Sequence, residues 1–284
     1  DPTFGEEVMR ALNVRTDTGR FDPNLIGYFF QGELSWANNE ADGRYALARS
    51  ILALDADHSA AKRALVDWVV ERFPRLTDLN QRWGTQLDSW QSLSRPQVLT
   101  SLSDGARADL GQFTLLLART YFQTVRNSLR ALDPSHLYLG CRFYSSTPEV
   151  LQAAEEFCDV VSYDIYATDP RTVLGQRRSK KPIMIAEFSF GSTDQNCFAS
   201  GPCEVIDQQQ RGDAFRTYMN LALTDPRVVG CLWFQLVDQP ILGKSSNGEN
   251  YNVGFVDVTD RPYPALVEAA RSVLHRLYEI RMQR

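Results

Sequence analysis

The chain has 284 residues, 43% of them hydrophobic and 23% charged, the proportions of an ordinary folded protein and not of a disordered, collagenous or coiled-coil one. Thirty Lys and Arg against 35 Asp and Glu leave a net charge of −5 with no block of five like charges, so neither nucleic acid nor an anionic membrane is an expected partner. No apolar run approaches the ~20 residues that a bilayer helix needs, so a soluble protein is expected.

In chain order, residues 1–22 predict a helix and Leu25 to Phe30 (LIGYFF) a strand. Residues 37–110 contain no strong β-run, QVLTSL being the one short candidate, and they read as a helical excursion. Within it Ser59 is placed to cap a helix carrying Leu65, Trp68, Val69 and Phe73, ended by Pro74. Phe113, Leu117, Tyr121, Val125 and Leu129 line a second, longer helix, closed by Asp133-Pro134. Four more apolar runs predict strands: Leu137 to Phe143 (LYLGCRF), Val160 to Tyr166 (VVSYDIY), Pro182 to Phe190 (PIMIAEFSF) and Val228 to Leu236 (VVGCLWFQL). Helices are expected at Pro148 to Phe157, Asp207 to Leu223 and Pro264 to Ile280.

Nearly continuous hydrophobicity suits strands covered on both faces, and strand alternating with helix points to an α/β fold with parallel pairing. No GxGxxG or GxxxxGK[ST] occurs, which leaves a dinucleotide sheet and a P-loop unsupported and favours a (β/α)8 barrel. Barrel enzymes gather polar groups where strands end. Here Glu33, Arg142, Asp164 with Tyr166, Glu187, and Trp233 with Gln235 and Asp238 take such positions.

The five cysteines include no CxxC pair; Cys141, Cys158 and Cys231 read as packed hydrophobes. Cys197 and Cys203 share a Gly/Ser/Pro loop where a disulfide could form in an oxidising compartment. Arg177-Arg178 and Lys180-Lys181 read as a solvated basic loop. His58, His136 and His275 assemble neither a nucleophile triad nor a metal cluster, and no cofactor is expected. What the strand ends offer is carboxylate and aromatic side chains, the tools of sugar chemistry: one carboxyl protonates the leaving oxygen, another attacks the anomeric carbon or activates water. Glu33 and Glu187 are the candidate pair. Each is embedded among apolar residues, where a buried carboxylate is costly unless paired or functional.

The stretches DPNLIGYFFQGELSW and KPIMIAEFSFGS resemble the fourth and seventh barrel strands of clan A glycoside hydrolases. With HLYLGCRF, DVVSYDIYA, GCLWFQLVDQP and GENYNVGFVDVTDRPYP, the ordered set resembles the agarase-like family 50, a relative of the family 42 β-galactosidases, from about residue 1 to 280. The resemblance implies a retaining hydrolase acting on β-linked galactose-containing carbohydrate, with Glu33 as acid/base, Glu187 as nucleophile and Tyr166 hydrogen-bonded to the nucleophile. Trp36 and Trp233 are candidate sugar platforms; Arg142, Asp164, Gln235, Asp238, Glu249 and Asn250 are candidate hydrogen-bonding groups. Such a substrate suits an extracellular or periplasmic location.

Two positions depart from the family pattern. Gly32 stands where an asparagine normally precedes the acid/base, preceded in turn by Gln31, and Asp164 stands where an asparagine is frequent. Counted from the match, strands one to three are absent. A longer polypeptide or a second chain is expected to supply them. A β-galactosidase, a non-catalytic carbohydrate-binding relic and an interaction module reusing the barrel are the competing readings.

Overall fold

The computed structural model describes residues 1, 3–177, 179–195 and 199–282, and the chain divides into two compact units, Asp1–Asp159 and Val160–Arg284.

The first unit is organised by one long helix. Its elements are α1 (Phe4–Gly19), β1 (Gly27–Tyr28), a 3-10 turn (Gly43–Tyr45), α2 (Ala46–Leu52), α3 (Ala60–Arg72), α4 (Leu76–Trp83), α5 (Trp90–Ser94), α6 (Asp104–Leu132), β2 (Leu137–Tyr138), β3 (Arg142–Phe143) and α7 (Pro148–Phe157). Ser59 and Ser103 start α3 and α6 by accepting from the backbone N–H of Lys62 (3.1 Å) and Ala106 (3.0 Å). Proline after Asp133 ends α6, since it cannot continue the backbone ladder. Along α6, Phe113, Phe122, Val125 and Leu129 are buried. The excursion closes a core of its own on the first half of this helix, joining Ile51, Leu52, Leu65, Val69, Leu79, Trp83 and Leu93 to Leu110 and Phe113. Asp109 ties α4 to α6, accepting from Arg82 Nε (2.7 Å) and Trp83 Nε1 (2.8 Å).

Lys62 is the unusual member of this core. Its side chain is fully buried, and Nζ donates to the carbonyls of Leu52 and Arg95 (3.0 Å to the latter). Burial pushes its ammonium down to about 8.

β1 pairs in parallel with β2, Gly27 opposite Leu137 and Tyr28 opposite Tyr138. Pairing continues beyond the regular strands: Phe30 N–H donates to Gly140 O and Glu33 N–H to Arg142 O, each 3.0 Å. The strands are shorter than their apolar runs. Leu137 to Phe143 is interrupted between β2 and β3, where Gly140 takes a left-handed φ of 78°.

The second unit comprises β4 (Val161–Asp164), α8 (Arg171–Leu174), β5 (Ile183–Phe188), α9 (Gln208–Thr224), β6 (Val228–Trp233), α10 (Pro264–His275) and α11 (Leu277–Met282). β4, β5 and β6 are parallel neighbours in that order, with β5 buried along its whole length. Central position explains why that run lacks polar alternation. By contrast β6 leaves Val229 57% and Leu232 45% exposed. α9 and α10 approach closely at Gly212, where a Cβ would lie 2.6 Å from Ala265 O. The single helix expected from 264 to 280 breaks at Arg276 into α10 and α11. Both units carry parallel strands with helices between, as an α/β fold requires, and no helix among the described residues is long and apolar enough to cross a membrane.

Candidate active site

Glu187 sits near the C-terminal end of β5, 9% exposed, inside an otherwise apolar strand. Its register partner across the sheet is Asp164 of β4, 6% exposed, and the register shifts between Tyr163 and Asp164. Beyond that irregularity Ile165 N–H donates to Glu187 O (2.8 Å), and Tyr166 OH donates to Glu187 Oε2 (2.7 Å). A buried carboxylate given a phenol donor is held in one orientation. Tyr218 of α9 supports this arrangement: its ring stacks on Phe188 (4.4 Å between centroids) and its OH donates to Ile165 O (2.9 Å). Burial raises that phenol far above its usual range, so it remains a neutral donor.

Trp233, ending β6, lies amid Phe188, Phe190, Phe215 and Phe255 with its Nε1 bonded to Val253 O (2.7 Å). It remains partly exposed. The next peptide, Phe234–Gln235, is cis, and Gln235 Nε2 donates to Val237 O (2.7 Å). Glu249 Oε2 accepts from Gln239 Nε2 (3.0 Å) and Lys244 Nζ (3.1 Å), bracing the loop after β6; Asn250 beside it is partly exposed.

Asp238 has a different surrounding from the one expected of a sugar ligand. It is 5% exposed, and its carboxylate accepts from Tyr263 OH (2.5 Å), Gly254 N–H (2.7 Å) and Asn252 Nδ2 (3.0 Å). Those bonds commit it to the framework. Asn252 Oδ1 in turn accepts from Gln208 Nε2 (2.8 Å), and the same amide donates to Ser192 Oγ (2.7 Å). Arg211 is fully buried, donating to the carbonyls of Phe190 and Gly254 (2.9 Å each) with its guanidinium over the Tyr263 ring. Sequence reasoning missed this network. Its one signal was Arg211, a charge one helical turn before Phe215 and two turns before Tyr218 on the buried face of α9.

In the first unit Glu33 differs from expectation. Its apolar neighbours in the sequence predict burial, yet the residue is exposed. Gln31 and Glu33 take left-handed φ values of 61° and 49°, which turn the backbone out of the regular strand on both sides of Gly32. Gly32 forms a parallel bridge with Arg142. Trp36, expected as a platform, is 6% exposed and stacked on Phe122 (5.9 Å), with Tyr121 edge-on at 5.5 Å. Its face is taken up by the core. Trp83 is buried as well, and Trp90 packs at the edge of the excursion's core.

His136 is buried, its Nδ1 2.7 Å from Asp133 Oδ2 and its Nε2 3.2 Å from Asp22 O, while His58 and His275 are exposed. Cys141 and Cys158 are buried and Cys231 partly so, with burial raising the Cys231 thiol to about 12. Cys203 is buried; Cys197, its expected disulfide partner, and Arg178 of the basic loop lie outside the described residues.

No protein-family model matches the sequence. Among curated proteins, β-agarase B of Vibrio sp. (strain JT0107) is 36% identical over 292 residues, covering 100% of this chain and 31% of that protein. β-Agarase A of the same strain is 39% identical over 278 residues, 92% of this chain and 28% of that protein. Of solved structures, an exo-β-agarase superposes with a TM-score of 0.95 at 32% identity, over 99% of this chain and 40% of that one. The chain thus spans about a third of the length of the curated relatives it matches.

Proposed function

From a chain related along its whole length to one part of the β-agarases, we propose a retaining glycoside hydrolase acting on β-linked galactose-containing polysaccharide or oligosaccharide. The observation that carries the reading is the 2.7 Å bond from Tyr166 to the buried Glu187 carboxylate at the end of β5.

In this mechanism Glu187 attacks the anomeric carbon as Glu33 donates its proton to the departing glycosidic oxygen, leaving a covalent glycosyl–Glu187 ester. Glu33, now a carboxylate, takes a proton from water, which attacks the same carbon and frees Glu187. Tyr166 steadies Glu187 as charge leaves and returns. Arg142, Asp164, Trp233, Gln235, Glu249 and Asn250 are the proposed sugar contacts, while Asp238 and Trp36 are taken as framework residues. The chemistry asks for no metal or cofactor.

For the fold, we propose that β1, the β2–β3 segment, β4, β5 and β6 correspond to strands four to eight of a (β/α)8 barrel. Exposed Val229 and Leu232 on β6 then mark the edge at which further βα units join, from a longer polypeptide or a second chain. Release of neoagaro-oligosaccharides that disappears in Glu187→Ala supports the reading. Cleavage of a simple aryl β-galactoside but not of agarose favours a β-galactosidase. Agarose binding without turnover favours the binding relic.

A further inference from the structure

Gly32 lies between two non-glycine residues in left-handed conformation, and the volume a side chain at position 32 would fill is already occupied. A Cβ built there meets the guanidinium of Arg142, 2.9 Å from Nε and 3.0 Å from Cζ, with Nη2 closer still. Arg142 therefore engages this turn twice: its backbone carbonyl accepts from Glu33 N–H at 3.0 Å, and its guanidinium spreads across Gly32. What blocks position 32 is the far end of a long side chain and not backbone, so a methyl group there displaces the guanidinium without requiring the fold to open.

We propose that Gly32 and Arg142 form one specificity element: the missing side chain at position 32 seats the guanidinium one residue from Glu33, where it donates hydrogen bonds to hydroxyl oxygens of the sugar whose bond Glu33 protonates. This rests on the reading of Glu33 as the acid/base. The chemistry of the donor limits what is recognised. A guanidinium has five N–H groups and no acceptor, so each hydroxyl it binds must serve as acceptor, in a geometry suited to two neighbouring oxygens. Lysine keeps the charge but loses the planar fork, and methionine keeps the bulk but loses the donors.

The test uses the full chain and the variants Gly32→Ala, Arg142→Lys, Arg142→Met and Gly32→Ala/Arg142→Met. The 15N signal of Arg142 Nε reports the guanidinium, kcat and KM on an agaro-oligosaccharide report function, and thermal melting reports folding. Gly32→Ala should move the Nε signal, melt close to the parent, and lower kcat/KM roughly 10- to 100-fold, the scale of a lost hydrogen bond from a charged donor. Arg142→Met should lose a similar factor, Arg142→Lys should recover part of it, and the double variant should be no worse than Arg142→Met. Losses that multiply in the double variant, or an unmoved Nε signal in Gly32→Ala, overturn the coupling. Full activity in Arg142→Met overturns the sugar contact while leaving the hydrolase reading intact. Absence of both turnover and oligosaccharide binding in the parent overturns the hydrolase reading, and the sugar contact with it, even where the Nε signal moves.

Discussion

The phenol oxygen of Tyr166 lies 2.7 Å from Oε2 of Glu187, joining the segment after β4 to the end of β5. That bond orients a buried carboxylate and supplies a donor that water cannot readily replace. Tyr166→Phe should therefore lower kcat roughly 10- to 100-fold on an agaro-oligosaccharide with little change in KM, since a hydrogen bond to a charged group contributes about 1.5–3 kcal/mol. Steady-state kinetics on the folded variant decide it; a change confined to KM would place Tyr166 in substrate binding instead.

Asp238 gathers Tyr263, Gly254 and Asn252 around one buried carboxylate. Asp238→Ala leaves those neutral donors without an acceptor, and a loss of about 1–3 kcal/mol is expected, the cost of an unsatisfied buried polar group. Denaturant unfolding measures it. An unchanged midpoint with lost activity would show a sugar ligand rather than a framework residue.

The excursion depends on its own core, in which Leu65 is fully buried. Leu65→Ala should cost about 2–5 kcal/mol, whereas exposed His58→Ala should change stability by less than about 0.5 kcal/mol. Equal effects from the two would deny the excursion an independent core.

Lys62 makes stability depend on alkaline pH. With its folded-state value at about 8 against 10.5 for an ordinary lysine, the folded chain sheds this proton first, and between those values the unfolded chain binds more protons. Stability therefore rises with pH across that window. Lys62→Met lacks this term, so the stability of the parent relative to the variant should be level below about pH 8 and then grow, by on the order of 3 kcal/mol at most. Unfolding of both proteins from pH 7 to 10.5 tests it; a constant difference would mean the ammonium stays charged in the core.

The helices were readable because caps and periodic apolar residues are local. Ser59, Ser103, Thr147 and Asp207 all accept from a backbone N–H inside the following turn. Strand ends were less readable, since an apolar run such as LYLGCRF does not reveal that Gly140 takes a left-handed φ. Within the site, Tyr166 and Glu187 could be paired from the resemblance and occur as a hydrogen bond. Trp36 could not be told from a platform, because the residues that cover it, Tyr121 and Phe122, lie far along the chain on α6. Asp238 misled for the same reason: its partners Asn252, Gly254 and Tyr263 come from a loop whose path no local pattern fixes. Exposure of Glu33 followed from two left-handed residues flanking a glycine, which no propensity scale anticipates.

The role of Glu187 as nucleophile is measured most directly by following the anomeric proton signals during hydrolysis of a β-linked agaro-oligosaccharide by the full chain and by Glu187→Ala, with and without azide. A retaining double displacement gives β-configured product first from the parent, no product from Glu187→Ala, and an α-glycosyl azide when azide is added to that variant, because the small anion takes the vacated place of the nucleophile. α-Configured product first from the parent, or a parental rate in Glu187→Ala, would contradict it.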